Sequence, residues 1–194
     1  MNKSLFKKII VSAMAFGIAA TAFNTQSFAA ETTTSTVSGG ELTGGTITFQ
    51  GLPATLNGKQ VISNADWAIA DITDARGTGN GWSLTLTLTQ FAEVDDINAY
   101  VTGGKTLEKN SLKVSTVPTI SKKDSTSSDI TTITPVGLET ALDTRSPVKL
   151  LAAAADGGMG SYTFGKLGVQ LTIPANAYAK TYKTDATVTL NTAP

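Results

Sequence analysis

The chain has 194 residues, with 15 basic and 15 acidic side chains, no histidine and no cysteine. Ser-His-Asp and Cys-His catalysis therefore cannot be built in cis, nor zinc sites on those ligands; oxygen-ligand metals and carboxylate, lysine or tyrosine chemistry stay open. Setting aside Lys3, Lys7 and Lys8 at the head of the chain leaves 12 basic residues against 15 acidic, a net charge of −3 that argues against a nucleic-acid partner.

Residues 1–29 read as a secretory signal peptide. The three lysines form a positive start, residues 9–23 are uncharged and mostly apolar, and Ser27-Phe28-Ala29 puts small residues at the cleavage position, so cleavage is expected before Ala30. Export to the cell wall or cell surface, with part of the protein secreted, follows as the expected location. No later stretch is long and apolar enough for a membrane helix, so no transmembrane segment is expected in the mature chain. There is no Leu-Pro-x-Thr-Gly sorting signal and no cysteine to carry a lipid. Any hold on the cell is thus expected to be non-covalent.

Residues 30–45 are rich in Thr, Ser and Gly and read as a flexible leader. Residues 46–194 read as one domain, long enough for a real core. Residues 46–50 alternate as a first strand. Residues 65–72 alternate with a mixed face, as in a strand packed on both sides. Gly77, Gly79 and Gly81 supply a tight connection, read as a hairpin into the next strand. A phosphate loop is excluded there, because no helix follows and no Lys-Ser/Thr closes the glycines.

The clearest strand lies in residues 81–91. Trp82, Leu84, Leu86 and Leu88 fall on one side and Ser83, Thr85, Thr87 and Thr89 on the other. Its expected partner closes the chain, where Tyr182, Ala186, Val188 and Leu190 alternate with polar residues. Residues 111–117 and 167–173 give two more alternating runs, the second burying Leu167, Val169, Leu171 and Ile173. Residues 122–132 read as a polar loop. Residues 138–142 and 148–154 are the only stretches with helical character, and the second is equally readable as a strand. Short strands joined by Gly, Pro and Asn turns predict an all-β fold: a single β-sandwich or barrel-like domain of short antiparallel strands, with minor helical insertions between residues 135 and 155.

These residues resemble the WxL-domain surface proteins of Gram-positive bacteria. The lead-in Asp74-Ala-Arg76-Gly77-Thr-Gly79-Asn-Gly81 precedes a first Trp82-Ser-Leu84. A distal segment carries Tyr182 and then Val188-Thr-Leu190, ending at Ala193-Pro194; Val188 stands where the family has its second tryptophan. The resemblance covers residues 46–194. It implies a non-enzymatic protein held non-covalently to peptidoglycan or another wall polymer, alongside other WxL-type or membrane-anchored surface proteins. The motif residues Arg76, Gly77, Gly79, Gly81, Trp82, Leu84, Tyr182, Val188 and Leu190 become the site candidates, either as core or as wall-binding surface.

Trp82 on an alternating apolar face reads first as a core residue. Trp67 and Tyr182 suit sugar stacking, and equally suit a strand core. Glu93, Asp95 and Asp96 form an acidic cluster that lacks the spacing of a calcium loop and reads as a solvated turn. No paired-carboxylate cleft for glycoside hydrolysis is evident. No catalytic residue, cofactor or metal is expected. A self-assembling fibre or matrix subunit using strand addition is the alternative function.

Overall fold

The computed structural model describes residues 35–194, so the signal-peptide reading of residues 1–29 lies outside the described residues. The fold that follows is that of the unit Val37–Pro194. Alternation builds most of it. β3 (Val61–Ile69) buries Ser63, Ala65, Trp67 and Ile69 and exposes the residues between them, as a strand with one face in a core must. β12 (Leu167–Ile173) and β5 (Trp82–Leu88) are central strands and bury more of their length.

Two four-stranded antiparallel sheets share one strand order. One runs β1 (Leu42–Gly44), β4 (Ile72–Asp74), β11 (Gly160–Phe164), β8 (Ile120–Lys122). The other runs β2 (Ile47–Thr48), β3, β12, β7 (Leu112–Thr116). Register carries through from one to the other. Trp67 faces Leu167 and Ile72 faces Tyr162; Ile47 faces Ile69 and Leu42 faces Asp74. In each pair the two residue numbers have the same sum, so these are two halves of one creased sheet. The buried set also switches at the crease, from Trp67 and Ile69 to Ile72 and Asp74. That switch accounts for the mixed face expected for residues 65–72.

The facing sheet runs β14 (Ala186–Asn191), β5, β10 (Val148–Ala153), β9 (Ile133–Pro135). One hydrophobic cluster joins Trp82, Leu84, Leu86 and Leu150 of this sheet to Trp67, Ile72, Tyr162 and Leu171 of the creased one. The all-β, sandwich-like reading therefore holds. A short ladder of β6 (Ala92–Val94) and β13 (Thr181–Lys183) extends the β5–β14 pair. Three residues separate Leu88 from Ala92 and two separate Lys183 from Ala186, so the extension is shifted by one residue.

The expected helical insertions are absent between residues 135 and 155. Leu150 is the extra residue of a bulge against β5, which lets Leu150 and Leu151 both be buried. That bulge produces the unbroken apolar run that read as helical. Residues 139–142 instead bond to β7: the amide of Glu139 donates to Val114 O and that of Leu142 to Leu112 O. The helical content among the described residues is one 3-10 turn, Ile130–Thr132, capped by Asp129. β1 lies inside the stretch read as leader, recruited by backbone pairing to β4 rather than by a side-chain pattern. The glycine-rich connection is not a hairpin either. β3 pairs with β2 and β12, β5 pairs with β10 and β14, and residues 75–81 cross between sheets.

Candidate functional site

The lead-in residues form a clasp at one end of β5. Asp74 is buried at the end of β4. Arg76 turns back on it: Nε donates to Asp74 Oδ1 at 2.9 Å and Nη2 to Oδ2 at 2.8 Å. The same Nη2 reaches Gly81 O at 2.7 Å, and Nη1 reaches Thr192 O at 3.0 Å. The guanidinium thus ties together the end of β4, the start of β5 and the end of β14. This bonding by Arg76 holds the Asp74 carboxyl below its ordinary pKa, against the opposing pull of burial.

Gly79 and Gly81 dock this loop on residues 153–158. The amide of Asp156 donates to Gly79 O at 2.7 Å. Gly81 has φ +68, and a Cβ there would lie 2.4 Å from Ala153 O, so both conformation and space demand glycine. Gly77 lies at the exposed tip with nothing within 4 Å of its Cβ position. Trp82 follows, fully buried, with its indole Nε1 donating to Gly158 O at 2.9 Å and its ring edge-on to Phe164 at 6.5 Å.

The two halves of the motif meet across a ladder. Leu84 faces Leu190 and Leu86 faces Val188. Ser83 Oγ donates to Ala193 O at 3.0 Å, fastening the strand's end beside the clasp. Leu84 is fully buried, whereas Val188 and Leu190 are half-buried on an edge strand. With residues 44–47 they border a shallow depression of about 270 Å³ at the open seam between the two sheets. Arg76, Gly79, Gly81, Trp82, Leu84, Val188 and Leu190 are therefore brought into one structural unit. Tyr182 stands apart from it on β13.

Tyr182 lines a groove of about 1360 Å³ between residues 49–56 and the β6–β13 ladder. Burial, followed by the charge of Glu93, pushes its hydroxyl pKa up, and that hydroxyl donates to Tyr178 O at 3.0 Å. Phe49 and Tyr178 present 40% and 56% of their surface to solvent in this groove, and Trp67 forms part of its floor. Sequence reasoning weighed Trp67 and Tyr182 but missed Phe49 and Tyr178. Phe49 follows Ile47 in the alternation of residues 46–50 and so reads as an ordinary strand position, and Tyr178 sits between two turns with no periodic signal. Glu93, Asp95 and Asp96 also line it. Backbone donation from Lys105, then the ion pair with Lys180 at 2.9 Å, holds the Glu93 carboxyl below its ordinary pKa. A carboxylate so held is a poor proton donor at neutral pH. Asp95 accepts the amides of Ile97 and Ala99, closing a turn.

Among known families, the WxL domain, described as surface cell wall-binding, matches residues 9–194. Neither the curated proteins nor the solved structures give a match. The match spans nearly the whole chain, and the chain belongs to the WxL family, a family of cell-surface, cell wall-binding domains rather than of enzymes.

Proposed function

We propose that this protein is exported through residues 1–29 and attaches non-covalently, without enzymatic activity, to peptidoglycan of the Gram-positive wall, where it stands beside other WxL-type or membrane-anchored surface proteins. The observation that carries this reading is the cell wall-binding family match across residues 9–194. The motif residues act as a fold clasp in this reading, since Arg76 and Trp82 spend their polar groups on the protein's own carbonyls. Contact with the wall then falls to other surfaces.

Mature protein recovered from culture should begin at or next to Ala30. It should sediment with purified peptidoglycan and be released by denaturant as an unmodified chain. A protein that stays wholly in the supernatant with walls of several Gram-positive species overturns the reading. Self-assembly by strand addition is favoured by one observation: among the described residues, β14 is an edge strand with no ladder partner on its outer side. Polymers seen by light scattering, and lost when the residues before Val37 are removed, would support it.

A further inference from the structure

We propose that the groove between residues 49–56 and β13 seats the neutral, N-acetylated sugars of wall glycan strands, stacked on Phe49 and Tyr178. This rests on the wall-binding reading above and gives it a site. Large aromatic rings left open in a concavity are the informative exception to burial, and ligand sites combine such surfaces with a few polar groups. A sugar ring offers an apolar C–H face to an aromatic ring and polar groups around its rim.

Both rings are already held. Phe49 packs edge-on against Trp67, with centroids 4.9 Å apart at 80°. Trp67 is fixed in turn by its Nε1, which donates to Gln50 O at 3.1 Å. Tyr178 has Lys105 Nζ over its ring at 4.4 Å, and its carbonyl accepts the Tyr182 hydroxyl. Rings fixed in advance lose little freedom on stacking.

Charge selects among wall polymers. Glu93, Asp95 and Asp96 line the groove against Lys180 and Lys183. Lys180 is paired with Glu93, and Lys183 lies 4.0 Å from Asp185 and 5.2 Å from the centre of the Tyr100 ring. An anionic, phosphate-bearing polymer meets three carboxylates and three lysines already engaged, Lys105 over the Tyr178 ring, Lys180 and Lys183, whereas a neutral sugar meets no such penalty.

The test uses the mature protein and two probes. Titration with a soluble tetramer of β-1,4-linked N-acetylglucosamine should move the indole N–H resonance of Trp67 saturably and leave that of Trp82 in place. Tyr178→Ala and Phe49→Ala, each checked for an unchanged melting curve, should weaken sedimentation with peptidoglycan stripped of anionic polymers by roughly tenfold. Tyr178→Ala serves alone if Phe49→Ala lowers the melting temperature through Trp67. An unmoved Trp67 signal, or folded variants that sediment like wild type, overturns the groove while wall binding stands. Wild-type binding only to walls that retain anionic polymers overturns it as well. Wild-type protein that binds no wall preparation is the distinct result that removes the wall reading itself.

Discussion

Replacing Trp82 separates a motif that builds the fold from a motif that touches the wall. The indole is fully buried, bonded to Gly158 O at 2.9 Å and edge-on to Phe164 at 84°. A Cβ at Gly158 would lie 2.7 Å from the indole nitrogen, so the ring fills its pocket against bare backbone. Trp82→Ala removes that packing and should cost about 3–5 kcal/mol. At ~2–4 °C per kcal/mol for a chain of this size, the melting temperature falls by roughly 6–20 °C. Trp82→Phe keeps a ring but takes the donor from the carbonyl of a buried residue, Gly158, at a cost of about 1–3 kcal/mol before any packing loss. Urea unfolding followed by circular dichroism measures both, free of the change in tryptophan emission. If both variants lose less than about 1 kcal/mol, the ring is not core and the argument fails. If Trp82→Ala stays fully folded and releases the wall, the motif is a contact surface after all.

Arg76→Ala leaves the buried Asp74 carboxylate without its cation and should cost about 3–5 kcal/mol at pH 7, measured by urea denaturation. Because the Asp74 pKa is lowered on folding, chiefly by Arg76, its stabilisation is complete above the unfolded value of about 3.9 and is lost as pH falls through the lower folded value. Asp74→Asn should therefore be less stable at pH 7 and show a flatter acid limb below about pH 4; a parallel limb refutes the assignment. Gly77→Ala, which meets only open space, should cost about 1–2 kcal/mol for its left-handed backbone, and Gly81→Ala more, because its Cβ also strikes Ala153 O; equal melting curves would contradict this. Val188→Trp should be accommodated in the seam depression beside Gly45 and Ile47 and raise the melting temperature. A fall would mean that the position is packed too closely to admit the ring.

The strands with strict alternation were legible from sequence: β5, β12 and the pairing of β5 with β14 follow from period-two burial of Trp82, Leu84, Leu86 and Leu88 and of Leu167 to Ile173. The failures share a cause. At Ala70–Asp71 the buried face changes within a ladder that keeps its register, and at Leu150 a bulge places two leucines inward in succession. Each breaks the local period through a tertiary demand, so a local reading sees a mixed strand or a helix. The linker at residues 75–81 looks like a hairpin turn for a related reason. Its glycines signal tight backbone, but the destination is set by Arg76, whose bond partner at Thr192 lies 116 positions away.

The site was legible where residues recur as a motif and opaque where only the fold assembles them. Asp74, Arg76, Gly81 and Trp82 stand close in sequence because they close one loop over one strand end. Phe49, Trp67 and Tyr178 are scattered along the chain and meet in the groove only through the loop after β2, strand β3 and the turn before β13. Their solvent exposure, which distinguishes a platform from a core ring, has no one-dimensional signature: Trp67 is 3% exposed and Tyr178 is 56% exposed. The same division bears on Val188. A second tryptophan would stand on an edge strand over the seam, a place where packing gains are small and substitution is cheap. Trp82 has no such latitude, because backbone carbonyls and glycines are fitted around it. A clasp that must form for the chain to fold constrains its residues closely, while half-exposed rings at the rim of a groove carry less of the packing that holds the fold.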